Sequence, residues 1–197
     1  MVHLPCPKKL IKWGILMSIL DLWQPILASA VITWIASALI WTVLPWHKSD
    51  YAKAADEEGV RAALKGESPG FYNVPHCTSQ SELKEPGMQE KFADGPIAFV
   101  TVLPNGLPPM GRNMALMFSF FLFVGILCAY FVSRTVGPDA DYLEVFRIAG
   151  TVAFIANGVG HIPDSVWFGR PWSHTAKSMF DGLIYGLLTG GAFGWLA

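Results

Sequence analysis

Long apolar stretches separated by short polar ones dominate this chain, with one polar interval large enough to carry a fold of its own. The first apolar region runs from Trp13 to Trp46, too long for a single crossing of about 20 residues. Asp21 is expected to cap a helix with Pro25 in its first turn, which places a first span at Ile26–Leu44. Residues 1–24 then form an N-terminal interfacial segment, with a helix over Lys8–Leu20 whose Lys8, Lys9 and Lys12 meet lipid headgroups. A signal peptide is the competing reading, since Lys8 and Lys9 precede an apolar run and Ala28-Ser29-Ala30 resembles a cleavage site. Against it, the apolar run continues well past Ala30. Asn113 is expected to cap a second span, Met114–Ser133, which holds no charge. A third span, Tyr142–Ile162, follows the acids Asp139 and Asp141, and a fourth covers Thr175–Leu196. The expected fold class is therefore an all-α integral membrane protein with four transmembrane helices, the last three lying in residues 113–197.

Between the first two spans, residues 45–112 carry nine acids and seven bases together with Gly and Pro clusters. This pattern predicts a small α+β excursion: a helix over Ser49–Leu64 with Ser49 as N-cap, short strands at Phe71–Val74 and Ile97–Val102, and a helical turn or two over Pro86–Phe92. So small a unit has little core of its own and should lean on the membrane domain or on a partner.

Composition agrees with a lipid solvent: 52% of the 197 residues are apolar and 15% charged. Net charge is −1 and no basic run tracks a phosphate backbone, which sets nucleic acid aside as a partner. Cys6, Cys77 and Cys128 fall in different segments, so no intrachain disulfide is expected. Lys8, Lys9, Lys12, Arg134 and Arg147 flank one side of the spans, against Arg170 and Lys177 on the other. Positive residues favour the cytoplasm, so both termini are expected there and the excursion in the periplasm.

Three constellations carry candidate chemistry. Gly182, Gly186, Gly190 and Gly194 recur every four residues, a bare stripe that admits another helix backbone, and Ala149, Ala153, Asn157 and Gly160 offer a facing stripe on the third span. Packing within the chain and docking onto another subunit both fit. Asp181 is the acid deepest in a predicted span, with Asn157 and Lys177 as expected polar partners. His47, His76, Cys77, His161 and His174 fall on the outer side and supply the donor types of a metal or haem site, without CxxCH, HExxH or paired CxxC spacing.

Four stretches resemble a family of bacterial four-helix inner-membrane proteins: Trp41-Thr-Val-Leu-Pro-Trp-His-Lys-Ser-Asp-Tyr51, Asp141-Tyr-Leu-Glu-Val-Phe-Arg-Ile-Ala-Gly150, Trp167-Phe-Gly-Arg-Pro-Trp172 and Asp181-Gly-Leu-Ile-Tyr-Gly186 with its continuation to Trp195. No activity, cofactor or catalytic residue is assigned to that family, so the resemblance implies a location in the bacterial inner membrane and no site. With no catalytic constellation in view, the expected role is an accessory or assembly subunit of a larger membrane complex, respiratory or photosynthetic, with other membrane subunits as partners. A redox or metal-binding protein using the outer histidines is the alternative, and a small transporter centred on Asp181 is the second.

Overall fold

A computed structural model describes residues 17–197. In chain order its elements are α1 (Trp23–Thr42), α2 (Glu57–Ala63), β1 (Gly70–Val74), α3 (Pro86–Asp94), β2 (Ala98–Val102), α4 (Met110–Thr135), α5 (Tyr142–Asn157), α6 (Ile162–Phe168) and α7 (Trp172–Leu196), with short 3-10 helices at Ile19–Leu22, Pro45–Asp50, Glu82–Lys84 and Val159–His161. The chain divides into two compact units, Met1–Asp50 with Met110–Ala197, and Tyr51–Pro109.

The larger unit is helical. Three of its stretches, Ile19–Thr42, Met110–Thr135 and Tyr142–Phe168, are long and apolar enough to cross a membrane, consistent with a multi-pass membrane protein. The helix α7 is as long, but His174, Lys177, Asp181 and its glycines and hydroxyls dilute its apolar character, and it is not among the three. Around the bundle α1 packs on α4, α4 on α5, α5 on α7 and α7 back on α1, so the first and last helices close the ring. The inward face of α4 shows why: Phe121, Val124, Gly125, Cys128, Ala129 and Val132 are buried at three- and four-residue spacing, one stripe of an α-helix. Two apolar clusters fill the interior, one around Leu22, Cys128, Ala149, Ala153 and Phe193, the other around Ala30, Ile40, Phe121 and Tyr185.

Several expected boundaries move. The interfacial helix lies outside the described residues up to residue 16. Asp21 does not cap α1. Ser18 starts the 3-10 turn Ile19–Leu22, accepting from the Leu20 N–H while Asp21 accepts from the Ser18 N–H, a reciprocal capping box that feeds into α1 three residues earlier than expected. Asn113 lies inside α4, which begins at Met110. The third helix stops at Asn157. Gly158 and Gly160 weaken the helix there, and Pro163 supplies no N–H, so a 3-10 turn intervenes before α6, which has a proline in its first turn and closes on Gly169 at φ 66°, a left-handed conformation suited to glycine.

In the smaller unit β1 and β2 pair antiparallel, Tyr72 opposite Val100, and Phe71 and Phe99 stack with ring centroids 5.8 Å apart. Both strands and the helix starting at Pro86 lie where the sequence pattern places them. The helix expected over Ser49–Leu64 does not form as one element: Pro45–Asp50 is a 3-10 helix of the larger unit, and α2 begins only at Glu57, where the Asp56 side chain accepts from the Gly59 N–H. Asp56 is the better cap because it precedes two acids that suit a helix N-terminus.

Candidate functional site

The chain turns sharply after α1. Pro45 starts the 3-10 helix, whose tight spacing puts His47 and Asp50 on one side, three residues apart. On α7, His174, Lys177 and Asp181 follow at three- and four-residue steps and so share a face. These two short motifs meet. His47 Nδ1 lies 2.5 Å from Asp50 Oδ2 and its Nε2 lies 2.8 Å from Asp181 Oδ2. Lys177 Nζ donates to Asp50 Oδ1 at 2.6 Å and to Ser49 Oγ at 2.8 Å. His174 Nε2 stands 3.7 Å from Asp50 Oδ2, and its Nδ1 is buried without a partner among the described residues. The Trp41 ring stacks on His47, centroids 3.8 Å apart and planes within 2°.

The side chains of His47, Asp50 and Asp181 expose 5% or less of their surface. Carboxylates only accept, so an imidazole bonded to one through each nitrogen must donate from both, or one acid must be protonated. Either way the trio holds one proton more than a neutral ring between two ionised acids. With that proton and Lys177, the charges of Asp50 and Asp181 are balanced inside the cluster. Burial pushes the Asp50 carboxyl up, but the hydrogen bonds from Lys177 and His47 and the positive charge of Lys177 outweigh it, so its titration lies below the usual carboxylate range.

A seam of hydroxyls continues from this cluster between α1 and α7. Ser29, Thr33 and Ser37 are buried at four-residue intervals on α1, and Tyr185 and Thr189 are buried opposite on α7. Thr33 and Thr189 share a hydrogen bond at 3.4 Å. The Tyr185 hydroxyl is buried near Ser37 and Trp41 and makes no hydrogen bond of full geometry among the described residues. Fully buried Phe193, one turn beyond Thr189, packs with Leu22 at the far end of the seam.

The partner expected for Asp181 is wrong. Asn157 Nδ2 donates to the Ala153 carbonyl of its own helix at 2.8 Å, and Lys177 serves Ser49 and Asp50 instead of Asp181. Gly182, one residue on and about 100° around the helix, is what faces α5, so Asp181 is turned toward the Pro45–Asp50 segment. The glycine stripe does meet α5. A Cβ on Gly182 would lie 2.6 Å from Gly158 Cα, on Gly186 2.8 Å from the Gly150 oxygen, on Gly190 2.8 Å from the Phe146 oxygen, and on Gly194 2.7 Å from the Tyr142 ring. The α5 face it meets is thus Tyr142, Phe146, Gly150, Phe154 and Gly158, one residue off the expected one. Ala149 and Ala153 are fully buried, with the Ala149 carbonyl receiving the Cys128 thiol at 3.4 Å, and a Cβ on Gly160 would touch nothing.

Of the metal-ligand candidates, His47 and His174 join the cluster and His161 lies near enough to act on the charges of His174 and Asp181. His76 bonds the Asn73 side chain, and the Cys77 thiol donates to the Ser79 carbonyl, both in the smaller unit. Among the described residues no three His, Cys, Asp or Glu side chains converge as a metal ion requires. The pairing of His47 with Asp181 went unread in the sequence, although the three-residue spacing of His47 and Asp50 and the shared face of His174, Lys177 and Asp181 were both available as signals. Comparison with family models, with curated proteins and with solved structures finds no match.

Proposed function

We propose that this chain is a non-enzymatic accessory or assembly subunit of a larger bacterial inner-membrane complex, with four spans, cytoplasmic termini and a periplasmic excursion that docks on a partner. The observation that carries it is the bare apolar surface of the smaller unit. Met88 is its only buried apolar side chain among the described residues, whereas Tyr51, Ile97, Leu103 and Leu107 are each more than 60% exposed. A surface of that kind outside the lipid marks a protein interface. The charged cluster supports the same reading, because it fixes Asp50, the last residue before the smaller unit, to α7. Native purification tests the role: co-purifying subunits that are lost when Leu103 and Leu107 are both replaced by Ser are expected, and a chain that purifies alone from its own membrane refutes it.

The hydroxyl seam favours a second reading, proton movement through Asp181. Proton uptake into vesicles that Asp181→Asn abolishes, with the fold intact, would put this reading first.

A further inference from the structure

On the outside of the α5–α7 contact, the paired glycines leave a furrow of about 210 Å³ lined by Phe146, Arg147, Gly150, Thr151, Phe154, Leu183, Gly186 and Leu187. It exists because Gly150 and Gly186 bring the two backbones together and place no side chain over the junction. Its walls are aromatic and aliphatic, and two of its residues can donate hydrogen bonds: Arg147 and, one turn along the same helix face, Thr151. Both are exposed, and no residue bonds or pairs with either among the described residues. Arg147 lies in a stretch apolar enough to cross a membrane, about 7 Å along the helix from Tyr142. An arginine at that depth extends toward the headgroup layer, where its planar fork matches phosphate oxygens in pairs.

We propose that this furrow binds an anionic phospholipid, with the phosphodiester on Arg147 and Thr151 and one acyl chain along Phe146, Phe154, Leu183 and Leu187. Charge selects the headgroup. No acidic residue lines the furrow, so it offers nothing to the ammonium of a zwitterionic lipid, whereas an uncompensated guanidinium rewards net negative charge. A basic pocket between membrane helices is a general solution for holding such headgroups. The site is separate from the charged cluster and does not depend on the role proposed for the excursion.

Native mass spectrometry of the full chain in an uncharged detergent, with phosphatidylglycerol or phosphatidylcholine added at equal concentration, tests it. The parent should retain phosphatidylglycerol about tenfold more tightly, the scale of one charge-assisted contact. Arg147→Gln should remove that preference, and Arg147→Lys should keep part of it. Thr151→Trp, a change at an exposed position that fills the furrow and keeps the charge, should weaken both lipids. Equal retention of the two lipids by the parent, or a preference unchanged in Arg147→Gln, overturns the proposal. A dimer that Thr151→Trp dissolves would show a second copy of the chain in the furrow and overturn it as well.

Discussion

His47 is held between two acids, and the consequence of removing any one of the three differs from that of removing a surface pair. Truncating one partner of a buried, bonded charge set leaves the others desolvated and uncompensated, a loss of about 3 to 5 kcal/mol. His47→Ala and Asp181→Ala should therefore each destabilise by about 3 kcal/mol, and the double replacement by much less than the sum. Reversible unfolding in mixed detergent measures the cycle, and simple additivity would mean that the two side chains do not touch. Asn157→Ala combined with Asp181→Ala should add, since Asn157 bonds its own helix. Asp50 gives the pH dependence its sign. Its folded-state titration lies below the ordinary value of 3.8, so its contribution is fully present above that value and disappears as acid carries the pH down through the lower folded one. Asp50→Asn should flatten the acid limb of the stability profile below about pH 4. The need for polar company at Asp181 was legible from its depth in an apolar run. Which company was not, because one residue of helix rotation decides between Asn157 and His47, and a count of depth contains no rotation.

At the scale of elements, the contact between α5 and α7 is backbone against backbone at Gly182, Gly186 and Gly190. Adding one methyl at Gly190 places it 2.8 Å from the Phe146 carbonyl oxygen and 3.2 Å from Gly150 Cα, so the helices must part. Alanine is the better helix former by about 1 kcal/mol, yet Gly190→Ala should cost about 2 kcal/mol net because overpacking outweighs propensity. Gly160→Ala, which meets open space, is the control and should leave the melting midpoint unchanged. A Gly190→Ala protein as stable as its parent would mean that the two helices are not in contact. The four-residue period made this stripe readable, whereas its counterpart was misplaced by one position because the expected face followed alanines, and Phe146 and Phe154, too large to suggest a close approach, meet the glycines with backbone as well as side-chain atoms. Helix ends were less legible. The reciprocal bonds of Ser18 and Asp21 start the chain into helix before α1 itself, and Pro163 with Gly158 interrupts what hydropathy alone draws as one span.

For the whole molecule, the apolar runs were enough to find α1, α4 and the stretch from α5 through α6 as membrane-spanning candidates, while α7 hides much of its polarity in contacts with its neighbours. Hydropathy cannot see a side chain satisfied inside a bundle, which is why the fourth span rests on a proposal. Labelling of single cysteines in spheroplasts with a membrane-impermeant maleimide measures the arrangement. Positions 79 and 173 should react and position 2 should not, following the bias of short-flank lysines and arginines. Reaction at position 2 alone would invert the protein.

The closure of the bundle by its first and last helices also has a meaning in time. During synthesis His47 and Asp50 emerge more than a hundred residues before Asp181, so the newborn chain carries a charged hook with no eye until its final helix arrives. Release from the insertion machinery before that moment would strand Asp50 at the lipid boundary without Lys177. A chain cut short after residue 170 should therefore be recognised as unfinished and degraded, even though it retains all three stretches that are long and apolar enough to cross a bilayer.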